Sequence, residues 1–312
     1  MMVDFLGIGV QKGGTTWLYH HLGRHPQVAF PGGKEVHFWD RCDPAVADRW
    51  LESLQPPNRL TADGRPIRCG EITPAYSILD PAAIAALRGT CPEIRLFISL
   101  RNPLARAWSA AQMALVRAGM LEHEASDQWF IDHFRSQASR QRGAYANTLL
   151  RWWDQFPRDQ LLVTLLDDIA AKPATVLAAL ARHLRVDEAD FASLSPTDVS
   201  TVVVPRLKRQ HMTKQRIVGT VRPSLIPVLR DIYTAEIGRL ERLLDRELGG
   251  WLADPGPAAA TAAEDSAAPL AIGCGGRGVA LADSLAVSNP RVEKWRESAA
   301  ADDDQPPPPS TS

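Results

Sequence analysis

Residues 4–17 read DFLGIGVQKGGTTW, and the division of this stretch decides the fold. Residues 5–10 are an apolar run of the kind that forms a strand buried on both faces. Residues 11–14 hold two glycines and predict a tight loop. Thr15 and Thr16 then open a helix that carries Trp17, Leu18 and Leu22. A strand feeding a glycine loop and a helix start is a way to hold a phosphate. The first N–H groups of a helix lack partners within it and carry partial positive charge. Gly13 and Gly14 let the backbone come close to an anion, and the loop amides can cradle it. Lys12 adds a full charge and the Thr hydroxyls add donors. The plainer alternative is a strand-to-helix turn with a solvated lysine.

Working outward, residues 94–100 (IRLFISL) predict a second central strand, and residues 27–30, 67–72 and 161–166 predict three more. Helical patterns fall at residues 44–54, 81–89, 124–137, 145–156, 172–184 and 223–248. Asp80-Pro81 and Asn102-Pro103 read as cap and first helical position. Trp152 and Trp153 share a stripe with Tyr145, Leu149 and Phe156 at helical period, which reads as a packed face rather than a binding platform. Strands alternating with helices predict an α/β domain, a P-loop-like three-layer fold with a central, mainly parallel sheet flanked by helices. It is expected to span residues 1–252. Residues 253–312 shift to Ala, Gly, Pro, Ser and Asp and end in DDDQPPPPSTS. They read as a low-complexity tail with too little bulky apolar surface to offset the entropy of ordering.

The 312 residues carry a net charge of −1, which gives no global argument for nucleic acid or a membrane surface. The start lacks the layout of a signal peptide. No apolar run approaches the about 18 residues of a membrane span. Cys42, Cys69, Cys91 and Cys274 show no CxxC spacing. They fit reduced thiols in a cytoplasmic protein better than a disulfide framework or a zinc site.

Two further stretches carry chemistry. Residues 31–40 (PGGKEVHFWD) place Lys34, Glu35 and His37 in a loop after a predicted strand, where parallel α/β sheets build their sites. Glu35 and His37 are both plausible proton acceptors. Residues 101–109 (RNPLARAWS) follow the second strand. Arg101 lies at the strand exit with the fork geometry that suits phosphate, and Arg106 and Ser109 share a helix face. Residues 205–216 form a basic run, a solvated face or a lid over a polyanion.

The loop order excludes the usual P-loop of ATP and GTP enzymes, in which Lys follows the last Gly. Here Lys12 precedes Gly13 and Gly14. The run QKGGTTW instead resembles the 5'-phosphosulfate loop of sulfotransferases that use 3'-phosphoadenosine 5'-phosphosulfate (PAPS), and RNPLARAWS resembles their 3'-phosphate element, RxPxxRxxS. KEVHFW at residues 34–39 and EITPAY at residues 71–76 resemble the KExxFF-type and EKTPxY elements of the heparan-sulfate N-/O-sulfotransferase branch. The resemblance covers residues 4–252. It implies that Lys12, Gly13, Gly14, Thr15 and Thr16 hold the phosphosulfate, that Trp17 stacks on adenine, and that Arg101 and Ser109 hold the 3'-phosphate. It implies Glu35 as general base, Lys12 steadying the leaving oxygen, and PAPS as donor without a metal. The branch often has Lys where this chain has Ile72, so Lys34 or His37 stands in for it or the acceptor differs. The expected function is sulfuryl transfer to a hydroxyl or amine of a carbohydrate or small metabolite. Its rivals are a small-molecule kinase and a non-catalytic nucleotide-binding module.

Overall fold

A computed structural model describes residues 3–192 and 220–253. Its sheet has five parallel strands, β1 (Phe5–Gly9), β2 (Val28–Ala29), β3 (Arg68–Ile72), β4 (Arg95–Leu100) and β5 (Leu161–Leu165), in the order β2-β3-β1-β4-β5. The central strand is therefore the one that opens the chain. All five β1 residues are buried, as expected for a parallel strand covered on both faces. This is the α/β architecture the sequence predicts.

The helices are α1 (Thr15–Leu22), α2 (Ala47–Ser53), α3 (Pro81–Thr90), α4 (Pro103–Arg117), α5 (Asp127–Arg135), α6 (Gln137–Gly143) and α7 (Tyr145–Gln155). After β5 come α8 (Leu166–Ala171), α9 (Pro173–Leu184), α10 (Ala189–Ala192), α11 (Ile226–Leu244) and α12 (Gly250–Ala253). On one face, Trp17, Leu18 and Leu22 of α1 and Leu177 and Leu180 of α9 enclose Phe5, Ile72 and Phe97 from three strands. Burial of such apolar area supplies most of the driving force for folding. The predicted caps are present. Asp80 accepts from the amide of Ala83 at 2.8 Å, and Asn102 from that of Leu104 at 2.9 Å, each worth about 1 kcal/mol.

Several boundaries differ from expectation. The helix expected at 124–137 is two, because Ser136 is extended (ψ 145) and its hydroxyl caps α6. The strand expected at 161–166 ends at Leu165, and residues 166–171 form α8, a helix not expected from the sequence. The long helix expected at 223–248 starts as a 3-10 turn and ends at Leu244, where Asp245 turns left-handed (φ 49). Gly250 opens α12, whose Trp251 is buried and donates to Asp167 at 2.7 Å. Gly89 lies inside α3 rather than ending it. Trp152 is fully buried, and Trp153 lies under the Arg158 guanidinium at 4.4 Å.

The described residues fall within one compact unit. The basic run at 205–216, Cys274 and all but the first residue of the expected tail at 253–312 lie outside the described residues. No helix among the described residues is long and apolar enough to cross a membrane.

Candidate functional site

The loops after β1 and β4 lie at the C-terminal ends of adjacent strands, and residues 31–40, which follow β2, are held at the end of β3 by the Glu35 amide donating to the Ile72 carbonyl at 3.0 Å. The β1 loop is tied to β4. The amide of Val10 donates to the Ser99 carbonyl at 3.1 Å, and the Ser99 hydroxyl donates to the Gly13 carbonyl at 2.6 Å. The Arg101 guanidinium donates to the Lys12 carbonyl at 3.2 Å. The two predicted anion-binding loops are thus one continuous structure. The carbonyls of residues 12 and 13 are turned inward to protein donors, while α1 begins with no side-chain cap and no acidic residue in its first turn. Gly14, the residue before α1, is left-handed (φ 85). A Cβ on Gly13 would lie 2.3 Å from the Ser99 carbonyl oxygen, so only glycine permits this approach. The glycines, the uncapped helix start and a half-buried lysine fit an anionic group.

Lys12 and Arg101 are both below their ordinary pKa. Burial is the main cause in each. The charges of Arg101 and Arg117 add to it for Lys12, and that of Arg106 for Arg101. Cations pressed together in this way favour an anion between them. Thr15 and Ser109 are nearly buried at the same end of the sheet. Trp17 is 8 % exposed and packs on the His21 ring at 4.3 Å, so it is largely a core residue.

The third loop, residues 31–40, carries Glu35 and His37. Glu35 pairs with Lys34 and lies 3.8 Å from His37 Nε2, while His37 Nδ1 meets Asp40 at 2.8 Å. The contact with His37, then the charge of Lys34, hold the Glu35 carboxyl at about 2 against the opposing effect of burial. Burial alone would lower the His37 pKa, but its contacts with Asp40 and Glu35 outweigh that and raise it to about 9. At neutral pH His37 is therefore a cation, and Glu35 is the open proton acceptor of the two.

Beneath this loop lies Glu71, fully buried. Its carboxylate accepts from Trp50 Nε1 at 2.6 Å, Thr73 Oγ1 at 2.7 Å, the Tyr76 hydroxyl at 3.0 Å and the Val36 amide at 3.2 Å. The Tyr76 hydroxyl accepts in turn from the amides of Phe38 and Trp39. Burial raises the Glu71 pKa, and these four donors oppose the rise. Sequence reasoning placed Glu71 near a strand end but missed this role, and it missed Asp40, Trp50 and Ser99.

Backbone strain marks the same residues. Among the described residues, five non-glycine residues have positive φ. Arg185 and Asp245 end helices. The other three are Lys12 (φ 69), Glu35 (φ 62) and His37 (φ 59), the side chains singled out for catalysis. Such conformations persist where surrounding structure over-determines them, often at functional sites. Ile72 is fully buried in the core and presents no charge to the site.

The fold is that of solved sulfotransferases. A sulfotransferase from Alicyclobacillus acidocaldarius aligns with a TM-score of 0.57 at 24% identity, over 80% of this chain and 99% of that one. By sequence the chain is similar to several heparan sulfate sulfotransferases. Mouse heparan sulfate glucosamine 3-O-sulfotransferase 6 is 31% identical over 181 residues, covering 54% of this chain and 47% of its own length. Mouse heparan sulfate glucosamine 3-O-sulfotransferase 3A1 is 29% identical over 267 residues, covering 78% of this chain and 63% of its own. The chain thus spans about half the length of the first of these relatives. No family model matches it.

Proposed function

We propose that the protein is a PAPS-dependent sulfotransferase that moves a sulfuryl group to a hydroxyl or amine of a carbohydrate or small-metabolite acceptor. The observation that carries this reading is that three non-glycine residues with left-handed backbones, Lys12, Glu35 and His37, lie in loops at the C-terminal ends of the neighbouring strands β1 and β3. The named relatives favour a carbohydrate acceptor.

When bound, PAPS supplies the sulfuryl group and a phosphate leaving group. Lys12, the amides of Gly14 to Thr16 and the dipole of α1 place positive charge where the leaving oxygen becomes negative. Arg101 and Ser109 hold the 3'-phosphate. Glu35 accepts the acceptor's proton. His37, held between Glu35 and Asp40, orients that carboxylate and is not itself the acceptor. Glu35 is a weak base, but a displacement of this kind depends chiefly on positioning and charge stabilisation. The reduced Cys42, Cys69 and Cys91 favour a cytoplasmic site of action, and residues 1–252 are the catalytic domain.

The test is an assay of the purified chain with PAPS and a panel of sulfatable sugars, amines and phenols. Acceptor-dependent release of adenosine 3',5'-bisphosphate supports the reading. Turnover only with ATP and magnesium would move the chain to the kinases.

A further inference from the structure

Arg106 is fully buried in the second turn of α4, five residues after Arg101 and three before Ser109. Its Nη2 donates to the Ser139 carbonyl at 2.9 Å, to the Ser139 hydroxyl at 3.3 Å and to the Tyr233 hydroxyl at 3.2 Å. Its Nε and Nη1 donate to nothing. No carboxylate pairs with it among the described residues.

A guanidinium does not discard its charge by losing a proton. Taking it out of water is expensive, and a partner must offset the cost. Three neutral oxygens on one nitrogen do so only in part. The surroundings register the surplus charge. Arg101 is 7 % exposed and lies below its ordinary pKa, chiefly through burial, with Arg106 contributing. His133 is lowered by burial and then by Arg106. Tyr145 is buried beside both arginines, and Arg106 is foremost in opposing the rise that burial imposes on its phenol. Arg101, at the start of the same helix, feels the Arg106 charge and is partly balanced by Asp167, whereas Arg106 itself has two buried nitrogens without an acceptor. Packing does not require this, because a neutral side chain of the same length would fill the space. Ser109, one turn beyond Arg106, lies on the same helix face and is also buried. An anion of high charge density would offset this charge.

We propose that Arg106 is a specificity-determining residue for the nucleotide's 3'-phosphate: its uncompensated charge makes the region of Arg101 and Ser109 select a phosphate dianion over a hydroxyl. The inference rests on the nucleotide reading above and names which group enforces it. Arg106 acts on the ligand through its field, while Arg101 and Ser109 make the contacts.

The experiment is calorimetric titration of the wild-type chain, R106M and R106K with adenosine 3',5'-bisphosphate and with 5'-AMP, together with the melting temperature of each ligand-free protein. Met keeps the length and removes the charge. R106M is expected to weaken the bisphosphate by about tenfold or more and 5'-AMP by less than about twofold. Its ligand-free melting temperature is expected to be unchanged or higher, since an unpaired buried charge has been removed. R106K, which keeps the charge, is expected to keep most of the discrimination. An R106M protein that fails to fold, melts lower, or loses both nucleotides equally would make Arg106 a structural strut and overturn the proposal, as would an R106K that folds but no longer discriminates. If the wild type itself shows no preference for the bisphosphate, the nucleotide reading falls instead. If the preference persists in R106M, only the role of Arg106 falls.

Discussion

The Tyr76 hydroxyl donates to the buried Glu71 carboxylate at 3.0 Å, and through this pair the interior fixes the loop that bears Glu35. Glu71 takes the amide of Val36, next to Glu35, while Tyr76 takes those of Phe38 and Trp39. The amide of Glu35 itself donates to the Ile72 carbonyl at 3.0 Å. A loop with two left-handed non-glycine residues is thereby held by the strand beside β1 and the turn that follows it.

Glu71→Gln should uncouple that loop. One carboxylate oxygen faces Trp50 Nε1 and the other faces the Val36 amide, and neither donor can turn round. The amide group of Gln must then oppose one of them. An unsatisfied buried donor costs about 1–3 kcal/mol, measurable by denaturant unfolding. Turnover should fall more than nucleotide affinity, because the β1 and β4 loops are untouched.

Glu35→Gln should leave binding of adenosine 3',5'-bisphosphate close to wild type, while giving up the modest stability that the carboxylate gains from His37 and Lys34. If Glu35 takes the acceptor's proton, turnover drops by roughly 10²–10⁴-fold. Undiminished turnover in this variant would remove Glu35 from that role.

The loop should respond to alkali through His37. Its pKa in the fold, about 9, is above the ordinary 6.5. The stability it contributes is therefore fully present below pH 6.5 and lost as pH rises through 9. Glu35 behaves oppositely. With its pKa lowered from 4.5 to about 2, its contribution is present above pH 4.5 and lost as pH falls toward 2. Activity should decline near pH 9 in the wild type. In His37→Ala that decline should be absent at a lower plateau, as a pH–rate profile would reveal.

Gly13→Ala should be more harmful than its size suggests. The new Cβ would sit 2.3 Å from a backbone oxygen of β4, which is part of the sheet and cannot step aside. Forcing it in is expected to cost about 1–3 kcal/mol and to abolish nucleotide binding. Gly64→Ala, where nothing lies within 4 Å of the added carbon but φ is +81, separates backbone strain from the clash.

Much of this was legible in the chain itself. The strand–loop–helix unit at residues 4–22 and the run at residues 94–109 carry local signals, namely apolar strand runs, glycines, caps and proline positions. Those signals depend on neighbours in sequence, and the structure places both units as read. The register of 3-10 and short helical turns did not carry such signals. Helices α6 and α8 are seven and six residues long, too short for periodicity to speak. Ser136 breaking the expected 124–137 helix is a choice between capping and continuing that tertiary packing decides. The role of Glu71 was invisible for another reason. Its partners Trp50 and Val36 lie 21 and 35 positions away, and no local pattern marks a carboxylate that will be buried. Arg106 was read as one of two polar residues on a helix face, and only burial exposes its unpaired charge.

The most direct test of the account is calorimetric titration of the purified chain with adenosine 3',5'-bisphosphate, 5'-AMP and ATP. Tight binding that requires the 3'-phosphate, needs no magnesium and disappears in Arg101→Ala is the predicted result. Absence of binding, or preference for ATP with magnesium, would contradict it.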